Sequence, residues 1–126
     1  ALHSTAVGKV LLAGLDAGER DELVAALDFP RFTENTPGTP AELHEEVERT
    51  AERGWSEDHA ENETFINCVG APIRGADGRV VAAVSISVPD VLLPYDGVLD
   101  LVPALLTAVD DISRDCGYRP LREGVR

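Results

Sequence analysis

Ser85 and Ser87 stand two residues apart in the run Val80-Val81-Ala82-Ala83-Val84-Ser85-Ile86-Ser87-Val88. In an extended chain alternate side chains share a face, so both hydroxyls point one way. Val80, Ala82, Val84, Ile86 and Val88 form an apolar face behind them. Paired hydroxyls donate and accept hydrogen bonds and suit a polar ligand. Cys68 offers a thiol, either as a nucleophile with His59 or His3 as base, or as a small buried hydrophobe. Nothing local supports the nucleophile: there is no Cys-X-X-Cys partner, no basic neighbour and no helix N-terminus to lower its pKa. His3, His44 and His59 do not share metal-site spacing. A zinc site from His3 or His59 with Asp58 and Cys68 would require spatial coincidence. No cofactor is implied.

These groups must be positioned by strand pairing. Residues 65–73 and 80–88 read as the arms of a β-hairpin, with Gly75-Ala76-Asp77-Gly78 as turn chemistry. An even-numbered turn pairs Arg74 with Arg79. It sets Cys68 opposite Ser85, Ile66 opposite Ser87 and Gly70 opposite Ala83, all on one face. An odd-numbered loop or a bulge would break that register. A face of Gly, Ala, Ser and Cys leaves volume unfilled, so two readings stand: a small polar cavity, or a helix packed closely on small residues with each serine bonded to backbone.

The flanking segments read as helices. Residues 4–15 carry Val7, Leu11 and Leu15 at helical spacing, with Ser4 or Thr5 as N-cap. Asp16 and Glu19 have capping-box spacing ahead of a stripe of Leu23, Val24 and Leu27. Thr39-Pro40-Ala41-Glu42 starts a third helix lined by Leu43, Val47 and Ala51 and ended by Gly54. A short strand runs from Trp55 toward Asp58, and 57–63 reads as an acidic loop. Pro89 stops the hairpin. From about Val98 a stripe of Val102, Leu105, Val109, Ile112 and Cys116 predicts a last helix, with Pro103 near its start, Gly117 at its end and a frayed tail to Arg126. Lys9 reads as a surface charge or a structural ion pair. The order predicts an α+β fold, an antiparallel sheet with helices packed against it.

Composition narrows the function. The chain has 126 residues, 44% of them hydrophobic, and a net charge of −12. That suits one domain, residues 1–126, with a real core. An acidic surface repels phosphate and argues against nucleic-acid binding by these residues themselves. No run approaches a membrane span, and no signal peptide is visible. Two cysteines are too few for a disulfide framework, which points to a reducing compartment and a cytoplasmic setting. The lack of Met suggests that Ala1 is not a native start, and one lysine against ten arginines hints at a GC-rich bacterial genome.

Several stretches, taken in order, resemble the effector-binding domain of IclR-type bacterial transcriptional regulators. They are His3-Ser4-Thr5-Ala6-Val7-Gly8-Lys9, Phe32-Thr33, Asn35-Thr36, Arg53-Gly54-Trp55, Cys68-Val69-Gly70-Ala71-Pro72-Ile73, Asp77-Gly78, Ser85-Ile86-Ser87, Ile112-Ser113 and Cys116-Gly117. The resemblance covers about the whole chain. It implies a GAF-like antiparallel sheet flanked by helices that binds a small metabolite. It also implies a separate N-terminal winged helix-turn-helix, absent from these residues, through which a homo-oligomer (dimer or tetramer) meets DNA.

By the same resemblance a ligand carboxylate would meet the backbone N–H groups of Ala6 and Val7, at a helix N-terminus that favours anions. Ser85 and Ser87 would add hydroxyls, and Asp58 and Cys68 would complete the set. Asp58, as an anion, would have to accept from a ligand hydroxyl or stay protonated. The set favours a 2-oxo acid such as glyoxylate or pyruvate over an aromatic or other organic acid. One departure is Phe65-Ile66-Asn67-Cys68, where many members have Gly before the Cys position. A Phe at the pocket mouth would shrink it or select an apolar tail. The rival readings are an oligomerisation domain with a vestigial pocket and a small Cys-dependent enzyme.

Overall fold

Three helices, one strand, a hairpin and two more helices follow in order: α1 Ala6–Ala13, α2 Ala17–Ala26, α3 Pro40–Arg53, β1 Ser56–His59, β2 Ile66–Arg74, β3 Val80–Pro89, α4 Tyr95–Leu99 and α5 Val102–Asp115. The computed structural model describes residues 1–120. The predicted fraying of the last residues lies outside them. The strands form an antiparallel sheet in the order β1-β2-β3.

Helix starts follow local capping. Thr5 accepts from the Gly8 N–H, Asp16 from Glu19 and Thr39 from Glu42. Gly54, at φ 85°, ends α3 in the left-handed region that favours glycine. Helices cover both faces of the sheet. On one, Val69, Ala71 and Ile73 of β2 meet Val98, Val102, Leu105 and Val109 of α4 and α5, with Ala82, Val84, Ile86 and Val88 packed beside them. On the other lies α1, and outside it Leu12, Val24, Leu43 and Val47 join α1, α2 and α3 in a second cluster.

The stripes were misjudged at their margins. Ala51 is exposed and Thr50 is buried in its place. Leu23 and Ile112 are also exposed, Cys116 lies on the surface, and Ser113 is the buried residue of the last turn. Ser113 is buried for a polar reason: its Oγ accepts the Arg74 N–H at 3.0 Å. Residues 57–59 extend β1 instead of joining the loop.

The hairpin register also differs. Gly75 N–H donates to the Arg79 carbonyl at 2.9 Å, so the turn holds three residues, with Gly78 at φ 81°. Arg74 faces Val80, and a bulge then leaves Val81 without an opposite residue before Ile73 meets Ala82. The odd turn and the bulge each shift β3 by one residue. Together they shift it by two, which restores the original face. Cys68 therefore faces Ser87, Gly70 faces Ser85 and Ile66 faces Pro89, in place of the expected partners Ser85, Ala83 and Ser87.

Candidate functional site

Strand pairing builds two rows across the sheet. One is Asp58–Cys68–Ser87 and the next is Ser56–Gly70–Ser85. Opposite residues of paired strands share a face, so these side chains stand on the α1 side.

Two contacts seat α1 on that face. The Ser56 hydroxyl donates to the Ala6 carbonyl at 2.6 Å. Gly70 lies beneath: a Cβ there would come within 3.1 Å of the Ala6 Cβ and of Ser56 Oγ. Gly8 has a similar task one turn on, because a Cβ would stand 2.6 Å from the Leu2 backbone, which folds back over the helix start. Thr5 occupies the Gly8 N–H and the Thr5 carbonyl takes the Lys9 N–H. Helix geometry leaves the Ala6 and Val7 N–H groups without an intrahelical partner.

A cavity of about 360 Å³ opens between this helix start and the two rows. Its lining is Thr5, Ala6, Val7, Asp58, Asn62, Glu63, Ile66, Cys68, Ser85 and Ser87. All six residues anticipated from sequence, Ala6, Val7, Asp58, Cys68, Ser85 and Ser87, thus meet at one cavity. Thr5, Asn62 and Glu63 were not anticipated. The only signal for the last two was the acidic 57–63 segment, whose path a sequence does not give. Phe65 is the correction here: it is 68% exposed, with φ at 72°, and Ile66 takes the place expected of it at the mouth. The positive φ turns the chain as it enters β2.

The electrostatics are set by burial. Desolvation raises the Asp58 carboxyl above its ordinary value, against the Glu61 N–H, which donates to it at 2.7 Å, and against the Lys9 charge. Burial raises the Cys68 thiol as well, and its sulfur lies 3.0 Å from Ser87 Oγ. A raised thiol is a poor nucleophile. Neither candidate base reaches it. His3 Nε2 pairs with the Pro30 carbonyl at 3.0 Å, and His59 stacks on Tyr95 with centroids 3.7 Å apart. Among the described residues no His/Cys/Asp/Glu cluster could hold a metal ion.

Behind the cavity runs a polar brace. Lys9 is fully buried, donating to the Glu57 carbonyl at 2.8 Å and to Glu61 Oε1 at 2.5 Å. The Phe32–Thr36 loop fastens the outer side: Thr33 donates to the Ala60 carbonyl at 2.5 Å, Asn35 to His59 at 2.8 Å and Thr36 to Glu61 at 2.6 Å. Lys9 is thus the structural ion pair of the two alternatives.

The fold and cavity define a small-molecule-binding α+β domain. The family described as bacterial transcriptional regulator IclR C-terminal matches residues 1–114, and the chain belongs to it as an effector-binding domain. It is 38% identical over 117 residues to the HTH-type transcriptional regulator KdgR of Dickeya chrysanthemi, covering 93% of this chain and 38% of that protein. Against KdgR of Escherichia coli K12 the identity is 34%, covering 93% and 44%. The solved C-terminal domain of E. coli KdgR superposes with a TM-score of 0.84 at 34% identity, over 93% of this chain and 71% of that one. The Thermotoga maritima IclR structure gives 0.85 at 36% identity, over 93% and 47%. The chain spans about two-fifths of the length of the curated relatives it matches. Those relatives are regulators, and the domain is not an enzyme. No helix among the described residues is long and apolar enough to cross a membrane.

Proposed function

We propose that residues 1–126 form the single sensing domain of a cytoplasmic, homo-oligomeric bacterial regulator, and that its effector is a small carboxylate metabolite. The carboxylate is held by the Ala6 and Val7 N–H groups, where the free donors and the dipole of α1 favour an anion. The oxygen on the neighbouring carbon, oxo in glyoxylate or pyruvate, takes hydrogen bonds from Ser85 and Ser87. Asp58 and Cys68 close the wall. Occupancy shifts the balance between domain arrangements, and an N-terminal winged helix-turn-helix outside this chain reads that shift on DNA. One observation carries the reading: a helix start with two free N–H groups and two strand hydroxyls line the same cavity.

The test is calorimetric titration with pyruvate, with protocatechuate as the aromatic comparison. Saturable pyruvate binding that weakens at least tenfold in Ser85→Ala/Ser87→Ala supports the site. Unchanged affinity in that variant refutes the serine contacts, and binding of the aromatic acid alone refutes the 2-oxo preference.

A further inference from the structure

The two faces of β1 hold different things. Ser56 and Asp58 are buried on the α1 side, where Ser56 bonds to the Ala6 carbonyl and Asp58 lines the cavity. Strand alternation turns Glu57 and His59 to the opposite side. There Tyr95, the first residue of α4, grips the strand twice. Its hydroxyl donates to Glu57 Oε2. Its ring lies on the His59 ring, with 3.7 Å between centroids and 8° between planes. Burial, and then the Glu57 carboxylate, raise the Tyr95 hydroxyl above its ordinary value, so it stays a donor. Neither Tyr95 nor His59 lines the cavity.

β1 is also the cavity wall that yields most readily. It is four residues long and, among the described residues, pairs with β2 alone. Few ladder bonds therefore hold it. Its outer edge is fastened by side chains instead, Lys9 on the Glu57 carbonyl and Asn35 on the His59 carbonyl, at 2.8 Å each. α4, by contrast, is locked into the core. Val98 is buried with Val102 and Leu105 of α5 and Val69 of β2. Leu93 packs on the same core, and a Cβ on Gly97 would stand 2.5 Å from its side chain. A close-packed core passes a displacement on and does not absorb it.

We infer that β1 is the transmission element of the sensor: occupancy felt at Asp58 passes through Glu57 and His59 to Tyr95, a positioning residue that ties α4 to the cavity wall. The inference rests on the cavity being the effector site, whichever acid fills it.

Amide exchange of the 126-residue chain, followed by NMR, reads this coupling. The Val98 and Asp100 N–H groups bond to the Pro94 and Asp96 carbonyls at 3.1 and 3.2 Å and report on α4. The Arg20 N–H, bonded to the Asp16 carbonyl at 2.9 Å in α2, is the control. Saturating pyruvate is expected to slow exchange at Val98 and Asp100 about fivefold, the lower end of an allosteric coupling, and to leave Arg20 unchanged. Tyr95→Phe keeps the ring and loses the hydroxyl. It should weaken pyruvate binding about fivefold by reciprocity and abolish the slowing at saturation. A merely structural tyrosine would lower stability and leave the slowing in place. A ligand-free arm uses Asp58→Ala, or Asp58→Asn if the first does not fold. Exchange at Val98 and Asp100 should rise about fivefold with Arg20 unchanged, and adding Tyr95→Phe should raise it no further. Pyruvate that binds without slowing α4 overturns this inference and leaves the carboxylate reading standing. Pyruvate that does not bind, with α4 loosened in the Asp58 variant, overturns the carboxylate reading and supports the route. An α4 unmoved by the Asp58 variant overturns the route whatever pyruvate does. Slowing that persists in Tyr95→Phe removes Tyr95 from it.

Discussion

Lys9 Nζ lies 2.5 Å from Glu61 Oε1, and the lysine is fully buried between α1 and the loop that follows β1. Glu61 in turn gives its N–H to Asp58 and accepts the His59 N–H at 2.9 Å. The pair joins the helix that carries the free N–H groups to the strand end that carries the cavity carboxylate. Removing one partner leaves an uncompensated buried charge. Lys9→Met should therefore lower stability by about 3–5 kcal/mol. Lys9→Met/Glu61→Leu should recover much of it, since an apolar replacement of both partners is tolerated. Urea unfolding checks the pair, and a double variant as unstable as the single one would contradict it.

Asp58 gives binding a pH dependence. Burial raises its carboxyl, so the folded protein holds a proton there that the unfolded chain has released. Burial raises Glu61 likewise, against the pull of Lys9. The stabilising protonated form is fully present below the ordinary carboxylate value and is lost as pH rises through the raised one. A bound carboxylate adds like charge and strengthens the effect. Pyruvate binding should therefore take up protons and weaken as pH rises above the raised value of the free protein, then level off beyond the still higher value in the complex. Calorimetry in buffers of different ionisation heat measures the uptake. Asp58→Asn should flatten the profile.

Gly70 sets how closely α1 approaches the sheet. Gly70→Ala brings a methyl within 3.1 Å of Ala6 Cβ and Ser56 Oγ. It should cost about 1–3 kcal/mol, the usual range for overpacking. Pyruvate affinity should fall with it, because the helix start is lifted from its seat. Gly18→Ala, whose new Cβ would sit 3.6 Å from Asp16 Oδ1 and no closer to anything else, is the control. It should raise stability by up to about 1 kcal/mol, the helix-propensity gain, and leave affinity unchanged.

The two cysteines should react in a fixed order. Cys116 is exposed, whereas the Cys68 thiol is half-buried, raised by desolvation and engaged with Ser87. Iodoacetamide at neutral pH should modify Cys116 first, and saturating pyruvate should slow Cys68 further. Peptide mass spectrometry reads both rates, and a Cys68 that reacts as fast as Cys116 would disprove its placement.

What was legible in the sequence was local. Thr39 and Asp16 cap their helices because a cap bond spans three residues and needs nothing from the rest of the fold. Ser85 and Ser87 share a face because strand alternation alone decides it. What was not legible depended on distant partners. Ser113 displaces Ile112 and Cys116 from the core because a strand N–H three elements away needs an acceptor. Lys9 is buried because Glu61 and the Glu57 carbonyl, some 50 residues on, close around it. Asn62 lines the cavity with its amide oxygen held by the Ser4 hydroxyl, a partner 58 residues away that no local pattern announces.

The hairpin obeys a parity rule. Its three-residue turn and its bulge at Val81 each displace β3 by one position, and only their sum keeps the serines above the cavity. Losing one residue at the turn, or straightening the bulge alone, would turn Ser85 and Ser87 into the apolar core and bring Val84 and Ile86 to the ligand side. The tip therefore tolerates length changes only in compensated pairs: a single-residue deletion there inverts both faces of β3 at once, exchanging the cavity wall for the core.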